Sequence, residues 1–363
     1  MTGTVETQGV LDRALAARAF SAVAAETGCA AGPRWTYAAG RLGFDHAAPA
    51  VAADTIFDLA SLTKVLAATT IALQLTARGD LSLQTPVRDL VPAWRDDDRA
   101  GVLVRDLLEH SSGLPACRDY FRTLHDRDAF VRAISAEPLE YAPRTRAVYS
   151  DLGFILLGIV LEQIGGGSLA EQFAGWRAAI GLTDPLDYQP PQEWHSRTAW
   201  TEHYEARGRP LQGTVHDQNT AALGGVAAHA GLFGTAAAVG AAARWWLQRL
   251  QGHDDEATGV RASAALMFTR RSTVPGSSRA LGWDTMLPTS SCGTRMSTSA
   301  IGHTGFTGTS LWIDPARDLY FVLLTNRVLA SNTSDQIQRV RRKFHHAACE
   351  TLDGDGQSAA ARF

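Results

Sequence analysis

The spacing of apolar positions along this chain changes twice, and the changes divide it. Val10, Leu11, Ala14, Phe20 and Val23 recur at helical spacing and predict an amphipathic helix at the start. Arg34-Trp35-Thr36-Tyr37-Ala38-Ala39-Gly40 then reads as a strand closing on a turn. Residues 62–77, with Val65, Leu66, Ile71, Leu73 and Leu75, are apolar nearly all round, which predicts a buried helix. Gly79 offers that helix a left-handed C-cap. Helical patterns dominate residues 81–266, broken by Glu137-Pro138 and Pro190-Pro191, with a clear helix at 236–250. Strand signals return at 281–286, 309–313 and 319–325; the last two flank Asp314-Pro315-Ala316-Arg317-Asp318, a connection suited to a hairpin. Ile337, Val340, Phe344 and Ala347 mark a final amphipathic helix, and Thr333 and Gln336 have capping-box spacing. The tail after Gly354 is expected to be loose.

Strands at both ends with helices between them predict one sheet completed by both termini. Residues 1–80 and 270–363 would form this α/β (α+β) domain, and residues 81–269 an inserted, mainly helical one. A chain of 363 residues can bury a large core, and 45% hydrophobic with 20% charged residues fits a soluble globular protein. A net charge of −3 gives no support for nucleic-acid binding. No run approaches ~18 consecutive apolar residues, so no membrane span is expected. The first residues lack the basic start and apolar core of a secretory leader, so the expected location is the cytoplasm, or the periplasm if a leader was trimmed away.

Cys29, Cys117, Cys292 and Cys349 are widely separated and read as reduced, mostly buried thiols. His345-His346 reads as solvated surface, since adjacent helical residues do not share a face. Trp245-Trp246 reads as core. No zinc-ligand pattern or phosphate-binding loop stands out, and no cofactor or metal is expected. The sequence does not specify an oligomeric state.

Only two lysines, Lys64 and Lys343, occur among the 34 cationic residues. Lys343 follows Arg341-Arg342 and is explained as solvated charge. Lys64 closes Ser61-Leu62-Thr63-Lys64 at the start of the buried helix, one turn from a serine on the same face. Unlike arginine, a buried lysine can lose its proton and act as a base. Taking the Ser61 proton requires a lysine pKa lowered from about 10.4 toward 7–8, which burial and a neighbouring cation could supply. Alone, Ser-x-x-Lys is a weak signal, and Ser61 could simply cap the helix.

Two further segments strengthen it: Tyr149-Ser150-Asp151 before a helical run, and His303-Thr304-Gly305-Phe306 before a strand. In this order the three resemble the motifs of the serine β-lactamase and penicillin-binding protein superfamily, above all its class C and family-VIII esterase branches. The similarity spans about residues 30–350 and includes Leu107-Leu108-Glu109-His110-Ser111-Ser112-Gly113-Leu114-Pro115 and Trp312-Ile313-Asp314-Pro315. It implies a mainly antiparallel sheet flanked by helices, with an inserted helical domain and the active site between them. It also implies that Ser61 forms an acyl-enzyme, that Lys64 activates it, and that Tyr149 is the second acid/base group. The backbone N–H groups of Ser61 and Phe306 would form the oxyanion hole. Asp151, His303, Thr304 and Gly305 would bind substrate, with Gly305 letting the acyl group approach the strand.

The chain departs from the family pattern at two positions. Asp151 stands where asparagine is usual, and would either hold Lys64 protonated or cap the following helix. His303 stands where lysine is usual; its smaller, pH-dependent charge would bind a substrate carboxylate less well, fading above pH ~6.5. His216 and Asp217 could shape the pocket or belong to a structural loop. The leading expectation is an esterase or amidase acting on small acyl substrates. Alternatives are a D,D-peptidase or weak β-lactamase, and a sensor-like penicillin-binding protein that acylates once without turnover.

Overall fold

The computed structural model describes residues 2–204, 209–330 and 334–360. A six-stranded sheet runs β2-β1-β11-β10-β9-β8, antiparallel throughout: β1 Ala22–Cys29, β2 Gly32–Gly40, β8 Asp284–Thr285, β9 Ile301–Thr304, β10 Ser310–Asp314 and β11 Leu319–Thr325. The pairing of β1 with β11, Val23 opposite Thr325, joins the two ends of the chain as the sequence pattern anticipates. Small sheets complete the strand set, β3 Phe57–Asp58 with β7 Leu232–Gly234 and β4 Leu186–Tyr188, and β5 Glu202–Tyr204 with β6 Arg209–Leu211.

Alternation along the central strands sends side chains to two cores. Val23, Ala25, Phe321 and Leu323 pack with Leu11, Ile337 and Phe344 of the terminal helices Thr2–Ala16 and Ser334–Ala360. Ala22, Ala24, Val322 and Leu324 face the larger core, built on the helices Ala236–Leu250 and Thr69–Arg78. The helix Ala236–Leu250 therefore lies on the sheet, with Trp246 fully buried and Trp245 nearly so.

Several expectations need correction. The first helix ends at Ala16, so Phe20 lies in a turn and Val23 in β1. The alanine-rich run 22–25 reads as helix because small side chains carry no strand signature, yet here they let helices pack on both faces. The expected strand at 281–286 shrinks to β8, because Gly282 at φ 81° bends the chain. The final helix continues to Ala360 through the expected loose tail. Thr333 of the anticipated capping box lies outside the described residues.

His345 is fully buried, its Nε2 2.9 Å from Ser310 Oγ, while its neighbour His346 is half-buried and lies 3.3 Å from Glu350. Cys117 is exposed, unlike the other three cysteines. Among the described residues no single helix is long and apolar enough to cross a membrane.

Candidate active site

Ser61 sits where β3 turns into a helix. Ala60 adopts φ 45°, a left-handed conformation that costs a non-glycine residue about 1–2 kcal/mol. Asp58 stabilises this turn: one carboxylate oxygen accepts the Ala60 N–H at 2.8 Å, and the other accepts the His216 N–H at 2.8 Å. Burial raises the Asp58 pKa while these bonds pull it down, and the net shift is upward. Sequence reading passed over Asp58, although an acidic residue three positions before the serine in an apolar run was a usable signal.

The helix after Ser61 opens with a π-helical turn, Lys64–Ala68, before becoming α-helical at Thr69 and ending on Gly79 at φ 82°. Such turns alter the direction of side chains at functional sites. Lys64 is wholly buried, and its Nζ donates to Ser61 Oγ at 3.1 Å, Asp151 Oδ1 at 2.7 Å and the His229 carbonyl at 3.0 Å. Three acceptors match the three protons of an ammonium group. Burial alone would lower the lysine pKa, but Asp151 and Tyr149 outweigh it, so the pKa moves up. The expectation of a lysine lowered toward neutrality is overturned, because the residue at the asparagine position is a carboxylate.

Asp151 is not the cap of its helix. Ser150 caps the helix Asp151–Gly165, its Oγ accepting the Gly153 N–H at 3.0 Å, which leaves Asp151 free to pair with Lys64. Tyr149 is packed against His110, ring centroids 4.6 Å apart, with Lys64 Nζ 4.8 Å from its ring. Burial raises the phenol pKa; Lys64 opposes this and Asp151 reinforces it, for a net rise.

The third motif lies on β9 and the turn after it. His303 is buried, its Nδ1 2.9 Å from the Thr304 carbonyl, and among the described residues its Nε2 has no hydrogen-bond partner. Burial, with Arg279 and Lys64 nearby, holds its imidazole neutral, well below the usual histidine range. The anticipated charge fading above pH ~6.5 is therefore absent: His303 is neutral across the physiological range. A cation reaches the pocket from elsewhere. The Arg279 guanidinium stands 5.2 Å from the Tyr149 ring centroid, and among the described residues it makes no hydrogen bond or ion pair. No pattern around Arg279 announced this, since its segment joins the site only through the fold.

Gly305 is required by packing. A Cβ there would stand 2.1 Å from Thr309 Oγ1 and 2.6 Å from the Leu59 carbonyl. Thr307 and Thr309 donate to the carbonyls of Asp58 and Leu59, at 2.7 and 3.0 Å, tying this turn to the Ser61 turn. This gives the glycine a packing role of its own. Among the described residues no acceptor meets the backbone N–H of Ser61 or of Phe306.

Ser61, Tyr149, Asp151, Arg279, Thr304 and Phe306 all border one cavity of about 660 Å³. His216 and Asp217 border it too. The His216 ring stacks on the exposed Phe306 at 5.6 Å. Asp217 caps the helix Gln218–Ala222 and accepts from His229 Nε2 at 2.9 Å. Despite the cost of burial, His229 and Thr220 hold its carboxyl well below the usual range. His229, whose carbonyl binds Lys64, was not singled out from sequence.

Comparison with known proteins places this geometry. A family model described as Beta-lactamase matches residues 18–343. The N-acetylmuramyl-L-alanine amidase of Bacillus subtilis (strain 168) is 33% identical over 305 residues, covering 75% of this chain and 68% of that protein. A putative D-alanyl-D-alanine carboxypeptidase of Escherichia coli (strain K12) is 31% identical over 306 residues, covering 75% and 69%. Among solved structures, a class C beta lactamase matches with a TM-score of 0.75 at 18% identity, over 94% of this chain and 97% of that one. EstCE1, a hydrolase with promiscuous acyltransferase activity, matches with a TM-score of 0.73 at 19% identity, over 94% and 98%. These two show a shared fold. With the family model spanning most of its length and relatives above 30% identity, the chain belongs to the beta-lactamase family and is a serine hydrolase.

Proposed function

We propose that the protein cleaves amide or ester bonds of small acyl substrates carrying a carboxylate near the scissile bond, through an acyl-enzyme on Ser61. The observation that carries the substrate class is Arg279, a pocket cation over the Tyr149 ring whose guanidinium has no hydrogen-bond or ion-pair partner among the described residues. A guanidinium binds a carboxylate through paired hydrogen bonds and stays charged at any working pH. The relatives named as a D-alanyl-D-alanine carboxypeptidase and an amidase support the same chemistry.

In this reading Ser61 Oγ attacks the substrate carbonyl and its proton passes to the Lys64/Tyr149 pair. These two groups titrate together, and the active form is the one that has lost a single proton between them. The N–H groups of Ser61 and Phe306 receive the oxyanion. Tyr149 returns the proton to the leaving group, then helps a water molecule release the acyl chain and restore Ser61.

A second reading, an esterase for uncharged acyl groups, draws on the exposed Phe306 face beside His216. Turnover of an acyl-D-Ala-D-Ala peptide, its C-terminal amide and a p-nitrophenyl ester separates the two. We expect the free acid to be preferred at least about tenfold over the amide, a preference lost in Arg279→Ala. Equal rates on acid and amide favour the esterase. Wild-type rates in Ser61→Ala and Lys64→Ala defeat both.

A further inference from the structure

The wall of the cavity holds a charge that this mechanism leaves unused. Arg341, on the helix Ser334–Ala360, is 95% buried. Its Nη2 donates to the Gly305 carbonyl at 2.7 Å and to the Thr309 carbonyl at 2.8 Å, and its Nε has no hydrogen-bond partner among the described residues. Among the described residues no carboxylate pairs with it. Burial and the neighbouring Arg327 push its pKa down to about 9. Burying an uncompensated charge costs several kcal/mol, and packing alone would be served by an apolar residue.

The carbonyl it grips belongs to the Gly305–Phe306 peptide, whose other end is the N–H of the cavity-lining Phe306, without an acceptor among the described residues. Carbonyl oxygen and N–H of one peptide are poles of a single dipole. A cation bonded to the oxygen draws electron density across the unit and strengthens the N–H as a donor. Arg327 Nε donates to the carbonyl of the next peptide, that of Phe306, at 2.7 Å, so two successive carbonyls of this turn are each held by an arginine.

We infer that Arg341 is a positioning residue: it orients and polarises the Gly305–Phe306 peptide so that the Phe306 N–H stabilises the oxyanion formed on Ser61 acylation. This rests on the acyl-enzyme reading above. Removing a direct oxyanion donor lowers kcat by roughly 10²–10³, so loss of a group acting through the peptide should cost less, on the order of tenfold.

The test uses the full chain with Arg341→Gln, which keeps a donor but removes the charge, and Arg341→Lys, which keeps the charge. Active sites are counted by fluorophosphonate labelling of Ser61, so kcat refers to folded enzyme. We expect Arg341→Gln to lower kcat about tenfold with KM changed by less than about twofold. The infrared carbonyl stretch of a trapped acyl-enzyme should shift to higher wavenumber, and Arg341→Lys should recover most of both. If Arg341→Gln does not fold, the comparison of Arg341→Lys with wild type carries the same readouts, with a smaller shift in the same direction. A normal kcat and an unmoved carbonyl stretch, alongside a lowered Tm, make Arg341 merely structural and overturn the inference while leaving the acyl-enzyme intact. Failure of the wild type to label at Ser61 overturns the acyl-enzyme reading and this inference with it.

Discussion

Replacing Asp151 with asparagine removes one negative charge from the buried cluster while keeping the shape and an oxygen that still accepts from Lys64. In the wild type, Asp151 Oδ1 lies 2.7 Å from Lys64 Nζ. At that separation an effective dielectric of about 20 gives an attraction of about 6 kcal/mol. The Asp151 side chain is 26% exposed, so solvent screens part of it. An opposite charge in contact ordinarily shifts a pKa by about 1–3 units, and this is the expected range. The carboxylate raises the pKa of Lys64 by attraction and that of Tyr149 by repulsion. Its removal therefore lowers both, and the deprotonated, active form of the pair persists to lower pH. The acid limb of kcat/KM for a p-nitrophenyl ester should move down by about 1–3 units in Asp151→Asn, raising activity below the wild-type limb about tenfold per unit. An unmoved limb, or one displaced to higher pH in a folded variant, would refute the assignment of Asp151 as the group that keeps Lys64 protonated.

Other predictions follow from packing and burial. Gly305→Ala forces a Cβ against Thr309 Oγ1 and the Leu59 carbonyl, so it should cost about 1–3 kcal/mol in denaturant unfolding and disable acylation. Ala60→Gly, at φ 45°, should leave stability within about 1 kcal/mol of wild type, whereas the β-branched Ala60→Val should lower Tm sharply. His110, His303 and His345 are held neutral by burial, with His345 pushed down to about 3. The unfolded chain binds their protons below pH ~6.5 and the folded chain does not. Stability is therefore fully present above that pH and falls as pH drops below it; for His345 the fall continues toward pH 3, by about 1.4 kcal/mol per unit. His345→Gln should flatten this slope by one histidine's share in melts run from pH 7 to 4.

The sequence by itself determined what lies close along the chain. Ser61 and Lys64 are one turn apart whatever the rest of the fold does, and the short uninterrupted apolar run at 319–325 predicts β11 because such a run is a local property. The return of strand patterns near the C-terminus also foretold a sheet closed by both ends. The alanines of β1 escaped notice because residues without bulk carry no period; only packing between two helical layers makes them a central strand.

Tertiary structure decided the charges. Whether Asp151 caps a helix or pairs with Lys64 depended on Ser150 taking the cap. Whether His303 is a cation depended on how deeply β9 is buried. Arg279 and Arg341 reach the site from segments far from all three motifs. A pKa is set by the dielectric and the neighbours in space, and neither is a property of sequence spacing. Lys64 was recognisable as a partner of Ser61 from four consecutive residues, but its protonation state was fixed by a carboxylate 87 positions away.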